Sequence, residues 1–251
     1  MRCGRKAIMW IALALCLICA VLLALALHSR AEHAKPASKD PEGAIAAQED
    51  EDRAVDVPVD FAAWQERNPD IYAWIEYPGT NVDYPIVQSA KDDAYYLRRD
   101  IDGKEAVAGS LYTEHTYNSK TFDDPVTVIY GHNMANRTMF GGLQSHIEAA
   151  DLASTEEYFY VYLPGRILTY RVVGGAPGDD AHILYYNDFS DPTGFSNYFG
   201  NLYAQSGGHV NLPGLLRPNP DDRVVILATC MNGEKYLRYL IIGVLTDDTG
   251  N

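Results

Sequence analysis

Residues 224–240 read VVILATCMNGEKYLRYL. The first six, Val224 to Thr229, form a mostly apolar and β-branched run that is typical of a buried strand. Met231-Asn232-Gly233 has the composition of a turn, and a second apolar run follows from Tyr239 to Leu245. The stretch therefore predicts two antiparallel strands joined by a turn, with Cys230 at the end of the first strand.

Similar short runs recur from residue 60 onward and predict a mainly β domain. The other strands are expected at Ile71–Tyr77, Val82–Val87, Gly109–Thr113, Val126–Gly131, Tyr158–Leu163, Ile167–Val173 and His182–Tyr186. Helices are expected at Phe61–Arg67 with Asp60 as its cap, at Thr138–Ala150 and at Gly194–Tyr203. Many short strands separated by Gly- and Pro-containing turns favour a closed or nearly closed β-barrel with a few helices.

The amino-terminal end has the pattern of a membrane segment. Residues 7–27 carry no charged side chain, and at ~1.5 Å per residue they can cross a bilayer core of ~30 Å. Arg2, Arg5 and Lys6 precede this run, and the positive-inside rule places that end of the chain in the cytoplasm. Residues 1–27 are therefore expected to form a cytoplasmic tip and a transmembrane anchor. A signal peptide cleaved near Ala24-Leu25-Ala26 is the alternative.

The charge distribution argues against nucleic-acid binding as a function. The other 17 basic residues of the chain stand against all 34 acidic residues beyond residue 27. Nucleic acid is not an expected partner, because binding a phosphate backbone requires clustered Lys and Arg. Residues 28–58 are rich in Ala, Glu, Asp and Lys and predict a flexible acidic linker, which leaves 59–251 as the globular domain. The negative charge is typical of a solvated surface, and attraction of a cationic partner is the alternative.

Three side chains in this domain suggest nucleophilic chemistry. Cys230 is the only cysteine beyond residue 27, and it follows a strand; it is either a buried core thiol or a nucleophile. A nucleophilic thiol needs a base. His132, which follows the apolar strand predicted at 126–131, is either that base or a surface histidine without a catalytic role. Arg238 returns beside Cys230 after the turn, where it could stabilise an oxyanion or simply be solvated.

Taken together, these residues resemble those of class B sortases, the membrane-anchored cysteine transpeptidases of Gram-positive bacteria. The matching stretches are residues 68–75 (NPDIYAWI), 82–88 (VDYPIVQ) and 123–134 (DDPVTVIYGHNM), and Thr229-Cys230 with Arg238. The order histidine, cysteine, arginine is specific: papain-like and NlpC-type peptidases place the cysteine first, and L,D-transpeptidases have the arginine much closer to the cysteine.

The resemblance implies a sortase-like closed eight-stranded β-barrel, with amino-terminal helices and an extra helix before the nucleophile strand. It also implies that Cys230 attacks a Thr–Gly or Thr–Asn bond in the carboxyl-terminal sorting signal of a surface protein. His132 would protonate the leaving amine, and Arg238 would hold the substrate and stabilise the oxyanion. The acyl group would pass to an amine of a peptidoglycan precursor, outside a cell membrane that the chain crosses once.

The resemblance also suggests residues that surround the substrate, and these matches are less specific than those of the three catalytic residues. The resemblance places Asp93, Leu97, Tyr130 and Thr229 around the substrate, and it implies neither a metal nor another cofactor. Many class B members have Ser-Thr-Cys followed by an acidic residue, whereas residues 228–231 here read ATCM. A thiol peptidase that hydrolyses its peptide, and a non-catalytic surface scaffold, are the alternative functions.

Overall fold

The computed structural model describes residues 55–234 and 236–250, apart from the side chain of Leu215. The expected anchor at 1–27 and nearly all of the expected linker at 28–58 lie outside these residues. Within the described ranges, no helix is both long and apolar enough to cross a membrane.

The first helix, α1, is Phe61–Arg67, as the sequence predicted. Asp60 caps it, because its carboxylate accepts a hydrogen bond of 3.0 Å from the backbone N–H of Ala63. The helix buries Phe61 and Trp64, which are one turn apart and therefore lie on the same face. It ends at Asn68, whose backbone is extended before the proline that follows.

Eight strands close into a barrel, as the sequence and the family resemblance predicted. In chain order they are β1 (Ile71–Tyr77), β2 (Val82–Val87), β3 (Leu111–Tyr112), β4 (Val126–Tyr130), β5 (Tyr158–Leu163), β6 (Arg166–Asp179), β7 (Val224–Cys230) and β8 (Leu237–Asp248). Their order around the barrel is β1-β2-β3-β4-β7-β8-β6-β5. A closed sheet has no free edge strand that could pair with another chain.

The continuous apolar runs of β4 and β7 arise because both faces of these strands are buried. Ile129 and Leu227 belong to the cluster inside the barrel. Val128 and Ile226 belong to a second cluster, which includes Phe195 and Phe199. A strand covered on both sides has no reason to alternate between apolar and polar residues.

The helix that supplies the outer cover is α4, Pro192–Tyr203. Asp191 caps it by accepting hydrogen bonds from the backbone N–H groups of Thr193 and Gly194. It occupies the segment before β7, where the resemblance implied an extra helix, and it begins two residues earlier than predicted. A Pro near the start of a helix is favourable because its missing N–H has no partner there in any case.

Strands β3, β4, β6, β7 and β8 differ from the prediction only in their bounds, whereas two other predicted elements differ more strongly. The helix predicted at Thr138–Ala150 is only α2, Leu143–Ala149. The backbone before it takes positive φ angles at Arg137 (63°), Met139 (54°) and Gly142 (94°), which a right-handed helix cannot contain.

The prediction of a strand at His182–Tyr186 was wrong. Residues Ile183–Tyr186 form a short helix, α3, because the His182 ring accepts a hydrogen bond from the backbone of Tyr185 and so begins a helical turn. Two 3₁₀ turns, Tyr95–Arg98 and Gly214–Leu216, complete the described elements.

Candidate active site

The strand order brings the ends of β4, β7 and β8 together at one end of the barrel. β4 and β7 are parallel, and Tyr130 pairs with Ala228. His132 is the second residue after Tyr130, and Cys230 is the second residue after Ala228. β7 and β8 are antiparallel, and Cys230 pairs directly with Arg238. All three side chains line one pocket of about 240 Å³.

Cys230 occupies the point where β7 leaves the core. The six residues before it are buried, whereas Cys230 itself is exposed. Of the two alternatives that the sequence left open, this position contradicts a buried core thiol. The strand beneath it is rigid, and the sulfur is accessible to a substrate.

Arg238 faces the pocket without an acidic partner. Its Nη1 lies 3.3 Å from the carbonyl oxygen of Leu237, the residue that precedes it. Within residues 55–234 and 236–250, no carboxylate forms an ion pair with this guanidinium. Its remaining N–H donors are therefore available to a substrate oxygen.

The His132 ring has a defined protonation pattern. Its Nε2 lies 2.8 Å from the carbonyl oxygen of Leu97. A carbonyl oxygen can only accept a hydrogen bond, so Nε2 carries the hydrogen in this arrangement. The backbone of the same residue is held as well, because the carbonyl oxygen of His132 accepts from the N–H of Phe140 at 3.0 Å.

Gly131 allows this segment to pack closely. A Cβ atom at that position would lie 2.4 Å from a methyl carbon of Leu111 and 2.6 Å from a ring carbon of Phe140. Its N–H donates to the carbonyl oxygen of Ala228 at 3.1 Å, which extends the β4–β7 hydrogen bonding by one step. The absence of a side chain thus lets the histidine segment remain against the cysteine strand.

Asn133 connects the histidine segment to the end of the cysteine strand. Its Nδ2 donates to the carbonyl oxygen of Cys230 at 2.7 Å and lies 2.9 Å from Oδ1 of Asn232. The backbone N–H of Asn232 in turn donates to Oε1 of Gln144 in α2 at 2.9 Å. Sequence reasoning gave Asn133 no role, and its position next to His132 was the one available signal.

The four positions expected around the substrate divide into two groups. Leu97, Tyr130 and Thr229 line the pocket. Leu97 is 38% exposed, and the hydroxyl of Thr229 is buried without a hydrogen-bond partner in the described part of the chain. Asp93 is not among the lining residues; its carboxylate accepts a hydrogen bond of 3.2 Å from the backbone of Thr116.

A second histidine–carboxylate pair lines the pocket, and the sequence did not reveal it. Nε2 of His182 lies 2.9 Å from Oε2 of Glu114. Nδ1 of His182 lies 3.0 Å from the backbone N of Tyr185, which leaves Nε2 facing the carboxylate. Burial raises the pKa of Glu114, and the nearby His182 opposes that shift. The pair was missed because His182 was assigned to a strand.

The two tyrosines of the pocket are neutral hydrogen-bonding groups. Burial raises the pKa of Tyr130, and the carboxylate of Glu114 raises it further. Burial and the same carboxylate also raise the pKa of Tyr112, whose ring stacks on Tyr130 with 5.4 Å between centroids. Neither phenol ionises near neutral pH.

No group of three or more His, Cys, Asp or Glu side chains in the described ranges is arranged to hold a metal ion. The pocket instead combines an accessible thiol, an imidazole and a guanidinium. These are a nucleophile, a proton-transfer group and a donor for developing negative charge.

Comparison with known proteins identifies the family. No protein-family model matches the chain. Sortase B of Listeria monocytogenes is 30% identical over 174 residues, which cover 68% of this chain and 67% of that protein. The chain belongs to the class B sortases. It is therefore a sortase-type cysteine transpeptidase.

Other sortases support the assignment over shorter ranges or at the level of fold. Sortase B of Staphylococcus aureus is 30% identical over 88 residues, 35% of each chain. The structure of a mutant form of Clostridium perfringens sortase B matches with a TM-score of 0.64 and 25% identity, over 74% of this chain and 86% of that one. A Staphylococcus aureus sortase B–substrate complex has the same fold, with a TM-score of 0.63 and 20% identity over 74% and 84% of the two chains.

Proposed function

We propose that Cys230, His132 and Arg238 carry the transpeptidase chemistry of this sortase, and that its substrate is the carboxyl-terminal sorting signal of a surface protein. The observation that carries the proposal is the register at the strand ends. Cys230 pairs with Arg238, and His132 follows the Tyr130–Ala228 pair by two residues on its chain segment, as Cys230 does on β7. The three groups line the same pocket.

The first half of the reaction forms a thioester. The thiolate of Cys230 attacks the carbonyl carbon of the scissile peptide, and its electron pair forms the new S–C bond. The C–N bond then breaks, and the leaving amine takes a proton from His132. The guanidinium of Arg238, which has no carboxylate partner among the described residues, stabilises the negative charge that develops on the substrate oxygen.

The second half transfers the acyl group. An incoming amine attacks the thioester carbon and loses a proton to His132, and Cys230 leaves as a thiolate. The thioester keeps the acyl group activated, so its transfer to an amine needs no further source of energy. We propose a Thr–Gly or Thr–Asn bond as the cleavage site and a peptidoglycan-precursor amine as the acceptor, so that a surface protein becomes attached to the cell wall.

The same proposal places the barrel outside the cell. Residues 7–27 would cross the membrane once, with the amino terminus in the cytoplasm, and residues 28–58 would span the distance to the barrel. The support for this location is the apolar run and the three basic residues that precede it.

The test compares cleavage and transfer in the purified full chain and in Cys230→Ala. Five-residue peptides with Thr–Gly or Thr–Asn bonds are offered with and without glycine or diamino-acid amines. The wild type should give an amide product with the amine, whereas Cys230→Ala should give neither product and keep the same circular dichroism spectrum and Tm. The remote variant Ser145→Ala, on the surface of α2, is the matched control and should retain full activity.

Each failure has a separate meaning. Release of free acid without any amide product, across all the amines, would support a hydrolysing thiol peptidase. Full activity in Cys230→Ala would overturn the assignment of the nucleophile. Loss of the fold in Cys230→Ala would be resolved with Cys230→Ser, which should restore the fold and remain inactive.

A further inference from the structure

A second cleft lies beside the catalytic pocket and has no part in the proposed chemistry. Its volume is about 360 Å³, within the ~300–1,000 Å³ that is usual for small-molecule sites. It lies between the end of β6 and helix α4. Ala181 and Ile183 line both this cleft and the catalytic pocket, so the two are neighbours in the structure.

One wall of the cleft is a row of amides. Asn197 and Asn201 are four residues apart and lie on the same side of α4, and Gln205, just beyond the end of that helix, lines the same cleft. All three are exposed. In the part of the chain that the structure describes, their side chains make no hydrogen bond to protein. Each amide therefore offers both an N–H donor and a carbonyl acceptor to a ligand.

The opposite wall offers an aromatic ring. Tyr186 is 70% exposed, and its ring packs edge-on against that of Tyr185, with 4.8 Å between centroids. Leu202 and Leu240 are buried at the base of the cleft. Tyr185 and Tyr186 together form an exposed aromatic pair beside the cleft, and the face of an aromatic ring can pack on apolar C–H groups of a ligand.

The cleft is nearly uncharged, although the chain carries a net charge of -14. Asp179 is its single ionisable carboxylate, and neither Lys nor Arg lines it. A phosphate group or a strongly charged peptide would find no counter-charge here. A neutral ligand that is rich in both donors and acceptors would match the amides.

We propose that this cleft binds a sugar unit of the acceptor, which deepens the transpeptidase function proposed above and rests on it. Sugar hydroxyls and N-acetyl groups donate and accept hydrogen bonds, as the three amides do. The C–H face of a pyranose ring is apolar and packs on an aromatic ring such as that of Tyr186. Because the cleft adjoins the catalytic pocket at Ala181 and Ile183, one acceptor can present its amine to the thioester while its sugar occupies the cleft.

The test separates the sugar from the amine. Transfer from a preformed sorting peptide is measured to an amine-bearing peptide alone and to the same peptide linked to an N-acetylglucosamine–N-acetylmuramic acid disaccharide. In the wild type, the disaccharide should lower the KM for the acceptor by about fivefold or more, which corresponds to one or two net hydrogen bonds. The double variant Asn197→Ala/Asn201→Ala should lose this advantage, while its KM for the sugar-free acceptor and its rate of peptide cleavage stay the same.

Ser196→Ala is the matched control, because Ser196 lies on the same helix but does not line the cleft. It should keep the full advantage of the disaccharide. Tyr186→Ala should lose it, and Tyr186→Phe should keep most of it, since the ring face is preserved. Equal KM values for the two acceptors in the wild type would overturn the proposal while leaving the transpeptidase function intact.

Direct binding gives an answer that does not depend on catalysis. Amide chemical shifts of Asn197, Asn201 and Gln205 are followed during titration with the free disaccharide. Saturable shifts confined to the cleft would support the sugar site even if no peptide were cleaved. An absence of shifts up to millimolar disaccharide would overturn it.

Discussion

The two ends of the barrel use arginine in opposite ways. At the end where β4 and β7 finish, Arg238 lines the catalytic pocket, donates to a backbone carbonyl in its own strand and forms no ion pair within residues 55–234 and 236–250. At the end where those strands begin, Arg166 and Arg223 both bind Asp248 and Asp123, with N–O distances between 2.7 and 2.9 Å.

Arginine therefore stabilises the fold at one end of the barrel and faces the catalytic pocket at the other. Four strands or their flanking residues are tied together by the charged network, and the side chain of Asp248 is only 7% exposed. A network of this kind stabilises the fold, and its guanidinium groups are engaged with carboxylates rather than facing a substrate pocket. The unpaired arginine contributes less to the fold and keeps its donors for the reaction.

The largest difference expected between the two ends of the barrel is in peptide-cleavage activity. Arg238→Gln should lower kcat/KM for the sorting peptide by about 10²–10³-fold, because a donor to the developing oxyanion is lost. Its Tm should not change. Arg166→Gln is the matched substitution at the opposite end, and it should lower the Tm while leaving kcat/KM unchanged. The comparison fails if the two variants show the same pattern in peptide cleavage and thermal unfolding.

The next effect is on stability and its dependence on pH. The guanidinium groups of Arg166 and Arg223 hold the pKa of Asp248 well below its usual value. Because the folded pKa is the lower one, the stabilisation is present above the unfolded pKa of ~3.9 and is lost as the pH falls through the folded value. Asp248→Asn should lower the free energy of unfolding by about 2 kcal/mol at pH 7.

Urea unfolding at a series of pH values checks this prediction. The difference between the wild type and Asp248→Asn should be constant from pH 7 to pH 5 and should shrink steadily below about pH 4. A difference that stays constant down to pH 2 would show that the carboxylate charge is not what stabilises this end of the barrel.

The smallest effect concerns the hydrogen bonds that hold the catalytic end in register. Asn133→Ala removes the donor to the carbonyl oxygen of Cys230 and should lower kcat by about tenfold with little change in KM, since only alignment is disturbed. Asn219→Ala is the matched control at the other end, where that amide binds Asp222. It should leave kcat unchanged. Steady-state cleavage assays distinguish the two, and an unaltered kcat in Asn133→Ala would remove its positioning role.

The sequence predicted the barrel well where local patterns and tertiary structure agree. β1, β2 and β5 have the predicted bounds, because their apolar runs stop at turn residues. The family resemblance uses the order of His132, Cys230 and Arg238 along the chain, and that order is read from the sequence without knowledge of long-range contacts. Their catalytic roles remain predictions that the variants above would test.

Prediction from sequence failed where the structure depends on one specific hydrogen bond or an unusual backbone angle. The segment from His182 to Tyr186 has the aromatic content of a strand, yet a single ring nitrogen turns it into a helix. Left-handed backbone at Arg137 and Met139 cannot be recognised from residue type, since neither is glycine. The proximity of Glu114 to His182 depends on barrel closure, which joins segments far apart in the chain.

The carbonyl of Leu97 has a consequence for the order of events in catalysis. Under the proposed mechanism, the proton meant for the departing amine is held on Nε2 by this loop oxygen until a substrate arrives. A peptide that enters against the Leu97 side chain therefore also disturbs the group that restrains the acid. Substrate entry would then also free the proton on Nε2, so that in the empty enzyme this proton stays hydrogen-bonded to the loop oxygen instead of being offered to a passing base.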